Sequence, residues 1–453
     1  MGLKRLYAAD AYDPGKPVPS WWQASAPPAR HGSPPLSESV SCDVAIVGAG
    51  FTGLNAALRL ARDHGFSVRV LDQGQPGFGA SGRNGGFCCI PATKIGWPTM
   101  VKRYGEGETR RFFRAQCDAI DHVDGILDAH RIAADVHSRG GELGLAHRPA
   151  EMAAFEDEQE TLMSLFGVDA AIYPKAALKQ LGAEGPGFHG AMIAPFGFAL
   201  HPLKYLRGLV DVAGDAGAAI HGETPVTDVV LRDGGHVLKT PHGDVRARHV
   251  IFATNGYTAE NVPSWMGGRV LPALSSVLVT RPLSKDERAA QGFTTDLMAY
   301  DTRNLLHYFR VMPDGRVLFG GRGGTSAEPS ALAHYARVLR GDFERMFPAW
   351  AHVETTHQWS GFVALSANRV PYVGPVDGFQ TAWAGLCFHG NGVATGSWSG
   401  AQLADLVAGV IAPEDLPAVM RGPMPKFAFP GLRRHYLKAA YLLYGLMDGN
   451  GSG

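Results

Sequence analysis

The chain begins without any periodic apolar pattern. Residues 13 to 37 hold Pro14, Pro17, Pro19, Pro27, Pro28, Pro34 and Pro35, and a proline ring fixes φ and removes a donor, so regular structure is not expected there. The segment reads as an arm laid over the body and anchored by Trp21 and Trp22. The pattern changes at CDVAIVGAGFTGLNAALRLARDHGFSVRVLDQG, where an apolar run (Val44 to Val47) meets glycines, then helical spacing, then a second apolar run (Val68 to Leu71). This order predicts a βαβ unit. Residues 101 to 135 and 150 to 166 mix polar and apolar positions at helical spacing and predict an inserted helical region, and Leu203 to Ala213 predicts another helix. In PVTDVVLRDGGHVLKTPHGDVRARHVIFATNG, GG and HG turns separate three alternating segments. They predict a meander returning to the main sheet at Val250 to Ala253. LLHYFRVMPDGRVLFGG predicts a hairpin turning at Pro313, Asp314 and Gly315.

At 453 residues the chain is too long for one ordinary core, so two or three domains are expected. Basic and acidic residues balance at 42 each, which provides no field to recruit nucleic acid. The N-terminus lacks an apolar stretch and a small-residue cleavage site, and no run of about 18 apolar residues occurs, so the chain reads as cytoplasmic. The cysteines, Cys42, Cys88, Cys89, Cys117 and Cys387, are odd in number and lack CxxC spacing. Reduced thiols are expected, with neither a disulfide framework nor a metal site.

Gly48, Gly50 and Gly53 form GxGxxG between a strand and a helix, with Asp72 at the end of the next strand. Gly48 permits the tight turn, Gly50 lets backbone approach a pyrophosphate, Gly53 lets helix and strand touch, and Asp72 accepts from ribose hydroxyls. GFGASGRNGG, residues 77 to 86, follows soon after the acid. A nicotinamide enzyme has no use for such a loop, whereas FAD, extended through the fold, brings its flavin to one. Gly85 and Gly86 would then offer peptide N–H groups to the flavin edge, while Ser81, Arg83 and Asn84 supply donors and fix the loop. FHGNGVATGSWSGAQLADLVAGVI places Gly390 and Gly392 before a predicted helix. The positive end of such a helix would stabilise the anionic locus of a reduced flavin.

These segments, together with SWWQASA, ALHPLKYLRGL, ATNGY, HYFRVMPDGRVLFGGR, GFVALSANRVPYVGP and FPGLRRHYLKAAYLLYG, resemble the D-amino acid oxidase-like FAD superfamily, closest to the γ-glutamylputrescine oxidoreductase-like amine and amino-acid oxidases. The resemblance implies an α/β fold, α+β overall. A Rossmann-type FAD-binding domain would be assembled from 42–100, 198–270 and 358–412, and a substrate domain with an antiparallel sheet and helices from 101–197 and 271–357. An N-terminal arm (1–41) and a C-terminal extension (413–453) with an amphipathic helix would flank them. It further implies that Phe51, Thr52, Gln73 and Gly79 join the cofactor site, that Val226 meets adenine through its backbone, and that Ala253, Thr254, Asn255 and Gly256 close over the dinucleotide. Arg369 and the loop Gly390, Asn391, Gly392 and Val393 would lie along the flavin. The implied reaction is oxidation of a C–N bond by hydride transfer to flavin N5, with hydrolysis of the imine and reoxidation by O2 to give hydrogen peroxide. Some relatives bind flavin through a cysteine in the stretch matching WSGFVALSANR; none occurs there, so non-covalent FAD is expected.

On the substrate side, period-two alternation in LLHYFRV puts Tyr308 and Arg310 on one face. Arg310 can clamp a substrate carboxylate there, with Tyr308 beside it; a surface ion pair is the alternative for Arg310, and Arg322 has a weaker claim. Trp359 walls the cavity or fills the core. His389, beside a flavin loop, is the candidate for assisting substrate deprotonation, and His201, before Pro202, reads as structural. No residue is assigned as an established base. The basic, leucine-rich C-terminal helix reads as packed on the body, with peripheral membrane contact as the alternative. The partners expected are a small amine or amino acid and O2 or another electron acceptor. Two competing readings stay open: a dehydrogenase of a cyclic or secondary amino acid passing electrons to a membrane acceptor, and a non-catalytic flavin-binding subunit.

Overall fold

Val40–Val47 lies at the centre of an eight-stranded sheet, parallel to Val68–Leu71 on one side and to Gly243–Phe252 on the other. In this computed structural model, which describes residues 2–449, the sheet continues outward through Ala219–His221 at one edge. At the other edge lie Ala382–Leu386, parallel, and Tyr372–Pro375, antiparallel. The second half of the central strand, Val44 to Val47, is apolar at every position because both faces are covered there. Val44 and Ile46 face the helical layer, whereas Ala45 and Val47 join the cluster under the meander. That meander, Asp228–Arg232, Gly235–Thr240 and Gly243–Phe252, forms as the turn residues predict.

The helix Phe51–Asp63 follows the first glycine turn and packs against Ala394–Ala408 and Pro202–Asp215. Gly400 of the second helix lies directly against the Thr52 carbonyl, so the two helices come close along small residues. Both helices begin at the same end of the sheet, and their amino termini open on one cavity.

A second eight-stranded sheet carries the hairpin Tyr308–Val311 and Val317–Arg322 between Val270–Thr280 and Met298–Asp301. Its core is aromatic, with Phe188, Phe293, Phe309, Phe319, Phe343, Phe347 and Trp350 in one cluster. Thr355–Ser366 pairs along nearly its whole length with Val270–Thr280. The chain therefore returns to the first sheet after residue 366, not at 358. The expected inserted region also divides. Glu142–Leu145, Ala171–Pro174 and Gly190–Ala194 join the second sheet, but Glu106–Ala129 packs through Phe112, Ala119 and Val123 into the helical layer of the first.

The arm is pinned by Trp22, which is buried and donates from Nε1 to the Asn84 carbonyl at 2.8 Å. Trp21 is half-buried beneath the Arg316 guanidinium. The C-terminal helix Arg433–Met447 docks through Leu437 onto Leu271 and Ala273, and Arg433 donates to the Val270 carbonyl at 3.0 Å. Its outer face leaves Leu442, Leu443 and Leu446 exposed. Among the described residues no helix is long and apolar enough to cross a membrane, and all five cysteines are free.

Candidate active site

Between the two sheets runs a cavity of about 410 Å³. At one end the chain turns at Gly48, whose φ of +112° suits glycine and whose amide donates to Leu71 O at 2.8 Å. Gly53 touches the Gly48 carbonyl so closely that a Cβ there would collide with it. The Asp72 carboxylate accepts from Ala49 N at 2.7 Å and Gly74 N at 2.9 Å. Each oxygen keeps a further lone pair for a hydroxyl, and burial raises the carboxyl pKa to about 6. Gly48, Gly50, Phe51, Thr52, Asp72, Gln73, Gly79 and Val226 line this end, with Ala253, Thr254 and Asn255 along the side. Gly53 stands behind the wall as a packing residue. Gly256 does too, set against Phe362.

The loop of residues 77 to 86 forms the middle of the wall. Ser81 Oγ accepts from Phe51 N at 3.0 Å and so caps the first helix. Arg83 donates to Phe78 O and Ser360 O, and Asn84 donates to Ala80 O and Ser81 O while accepting from Gly86 N at 2.8 Å. These three side chains hold the loop. Gly86, at φ +74°, has its amide occupied by Asn84 and is absent from the wall, so of the expected pair only Gly85 offers its peptide to the cavity. Gly390, Asn391, Gly392 and Val393 lie opposite, at the start of Ala394–Ala408.

Four further sequence expectations change. Arg310 is 1% exposed and spends its donors on Gly85 O, Leu200 O and the His137 ring; it faces away from the cavity and fastens the glycine loop. The strand's alternation is correct, but the guanidinium is long enough to reach back to backbone carbonyls. Trp359 donates to Arg83 O at 2.8 Å and stacks edge-on with Trp22 behind the same loop. Arg369 is exposed, held in a turn whose carbonyl accepts from Lys94 N and Thr93 Oγ1. His389 does line the cavity, with Nε2 at 3.1 Å from Ser366 Oγ, but burial, reinforced by the Lys94 charge, drives its pKa to about 3. A ring that stays neutral to such acidity is a poor acceptor for an ammonium proton. His201 caps Pro202–Asp215, as a structural residue would.

Tyr308 is on the wall, its ring against Gly85 and its hydroxyl 3.0 Å from Ser275 Oγ. Arg322, given the lesser claim in the sequence, projects into the cavity, as do Lys94, Glu142 and Tyr300. Arg5 closes the nucleotide end, donating to Gln73 Oε1 at 2.6 Å and to the Tyr257 carbonyl. No sequence signal marks Lys94, Glu142, Tyr300 or Arg5, because none belongs to a spaced motif; only the topology brings them here.

The residues fit an extended dinucleotide. Two helix amino termini face one elongated space, and two buried polar atoms on its wall, Thr254 Oγ1 and His389 Nδ1, have no partner among the described residues. Backbone amides at helix starts suit a pyrophosphate, and orphaned wall atoms of this kind are what a polar cofactor satisfies.

Comparison with known proteins agrees. The family model described as FAD dependent oxidoreductase matches residues 43–406. A probable oxidoreductase OrdL of Rhizobium meliloti is 30% identical over 96% of this chain and 98% of its own length. The γ-glutamylputrescine oxidoreductase of Escherichia coli is 28% identical over 91% of this chain and 94% of its own. Among solved structures, glycine oxidase from Geobacillus kaustophilus superposes with a TM-score of 0.68 at 20% identity, covering 81% of this chain and 94% of that one. The chain belongs to the FAD-dependent oxidoreductases of the D-amino acid oxidase type, enzymes that act on amines and amino acids.

Proposed function

We propose that the chain oxidises a C–N bond of a γ-glutamylated or otherwise N-substituted amine. Water hydrolyses the imine to a carbonyl compound and an amine or ammonia, and dioxygen takes up the electrons as hydrogen peroxide. FAD, held without a covalent link, supplies the two-electron acceptor at the end of the cavity bounded by Gly85 and Gly392. The observation that carries this reading is the continuity of one cavity from the dinucleotide turn to a chamber lined by Lys94, Glu142, Tyr300, Tyr308 and Arg322. Similarity to γ-glutamylputrescine oxidoreductase supports an amine donor.

The protein's own contributions follow from position. The amino terminus of Ala394–Ala408 favours negative charge beside it. Phe87 and Ile90 provide apolar wall that limits water. Arg322 presents a cation to a substrate carboxylate. Anaerobic titration of the purified protein with γ-glutamylputrescine, sarcosine, glycine and proline, followed by flavin absorbance, tests the assignment. Bleaching by at least one C–N compound is expected. Bleaching by α-hydroxy acids alone would replace the reading.

A second reading, a dehydrogenase delivering electrons to a membrane acceptor, is favoured by the exposed Leu442, Leu443, Leu446 and Met447 on the C-terminal helix. Peroxide yield per substrate oxidised separates the two: near one for the oxidase, near zero for the dehydrogenase.

A further inference from the structure

Three charged side chains meet in the chamber, and the protein neutralises none of them. Lys94 comes from the loop after the glycine-rich turn, Glu142 opens the strand Glu142–Leu145, and Arg322 ends Val317–Arg322. Both Lys94 and Glu142 line the cavity between the sheets, Glu142 half-buried and Lys94 with much of its side chain accessible. Charges drawn into such a cavity are ordinarily paired. These are not: among the described residues none of the three has an ion-pair partner within 4.0 Å. Lys94 and Glu142 attract one another and Lys94 and Arg322 repel, so two cations and one carboxylate stand around a gap instead of closing on each other.

The gap adjoins the flavin end. The Cys89 thiol donates to Asn391 Oδ1 at 3.6 Å and lies beside the Glu142 carboxylate. Asn391 belongs to the loop that starts Ala394–Ala408. Glu142 is therefore one thiol removed from that loop. On the facing side, Tyr308 rests on Gly85 with Arg322 near its phenol.

We propose that Glu142 receives the ammonium of the substrate and takes its proton, while Lys94 and Arg322 hold a carboxylate of the same molecule. This rests on the C–N oxidation reading above and narrows it: the substrate is an amine that also carries a carboxylate, not a bare monoamine or polyamine. The proton step is self-contained. An N–H bond of the ammonium breaks, an O–H bond forms on Glu142, and the electron pair stays on nitrogen as the lone pair that C–N oxidation requires.

The groups facing Glu142 are the Cys89 thiol, the Lys94 ammonium and the Tyr300 phenol, with Arg322 and His389 beyond Lys94. Burial raises the Glu142 carboxyl to about 7, against the pull of Cys89 and then Lys94. Burial also pushes the Cys89 thiol and the Tyr300 phenol upward, so both stay neutral. Lys94 is lowered by burial, and further by Arg322, to about 8. Glu142 thus governs the acid side of the profile and Lys94 the basic side.

The test is stopped-flow flavin reduction of the holoenzyme as a function of pH, with γ-glutamylputrescine, sarcosine and proline as carboxylated probes and putrescine as the probe without a carboxylate. In the unaltered protein, reduction by a carboxylated probe should weaken below about pH 7, and putrescine should reduce the flavin poorly. Glu142→Gln, matched in size and checked for FAD content, should slow reduction at neutral pH by about 100-fold and lose the acid limb; Glu142→Asp should restore the limb. A Glu142→Gln protein that reduces at the original rate with its acid limb intact overturns the assignment, as does putrescine matching the carboxylated probes. If no amine of any kind reduces the unaltered protein, the C–N reading falls and takes this assignment with it.

Discussion

Arg310→Met separates a structural from a substrate-binding guanidinium. The change keeps an unbranched stem of similar length but removes every donor. Arg310 Nε and Nη2 donate to Gly85 O at 3.1 and 2.9 Å, Nη2 also reaches Leu200 O at 2.9 Å, and Nη1 meets His137 Nε2 at 2.7 Å. His137 accepts there because burial, then the guanidinium itself, lowers its pKa to about 4 and keeps it neutral. Two buried carbonyls lose their donors in the variant, at about 1 to 3 kcal/mol each. Release of a desolvated charge with no acidic partner returns part of that, leaving a net loss of about 3 kcal/mol. Because Gly85 forms the cavity wall, the loosened loop should also weaken cofactor retention, by roughly tenfold for each 1.4 kcal/mol that reaches the site. Thermal melting and titration of deflavinated protein with FAD provide the two readouts. Expected are a melting temperature lower by several degrees, weaker FAD binding and little change in substrate KM. Unchanged melting and FAD affinity, with a large rise in KM confined to carboxylated substrates, would return Arg310 to the substrate and refute the reasoning.

Other consequences are equally open to measurement. Gly53→Ala should yield protein without retained flavin, seen as loss of absorbance near 450 nm after purification, since its Cβ would collide with the Gly48 carbonyl. Arg322→Met should raise KM about 10- to 100-fold for a carboxylated amine and leave its methyl ester unaffected. His307 bridges Asp301 at 2.8 Å and Asp342 at 3.2 Å; burial opposes its charge, but these two bonds lift its pKa to about 9. A raised folded-state pKa contributes stability that is complete below the unfolded value of about 6.5 and is lost as pH rises through about 9. The melting temperature should fall across that window, and His307→Gln should flatten the decline.

Much of the fold was readable because local pattern and tertiary role coincide. The run Val44 to Val47 is apolar throughout because both of its faces are buried, and the GG and HG turns mark a real meander. The nucleotide end was readable for a related reason: close backbone contact at Gly48 and Gly53 needs one residue type at fixed spacing. Side-chain direction was harder to foresee. Alternation put Arg310 on the face of Tyr308, but the backbone carbonyls within its reach are set by tertiary neighbours 110 and 225 residues away. Lys94 and Glu142 come from a coil and a short strand with no motif between them. Their convergence depends on how Glu142–Leu145 pairs with Met298–Asp301, a parallel pairing of segments far apart in the chain. The boundary near residue 358 was misplaced for a similar reason, since Thr355–Ser366 is long enough to serve the second sheet before the chain crosses back.

That one cavity holds an extended FAD, its reactive end between Gly85 and Gly392, is open to direct measurement. Titration of the deflavinated protein with FAD, followed by quenching of flavin fluorescence, addresses it most directly. The account predicts saturation at one FAD per chain, full release of the flavin on acid precipitation, and much weaker binding of riboflavin, which lacks the pyrophosphate and adenosine that the Gly48 and Asp72 end receives. Riboflavin binding as tightly as FAD, or flavin remaining with the acid-precipitated protein, would contradict it.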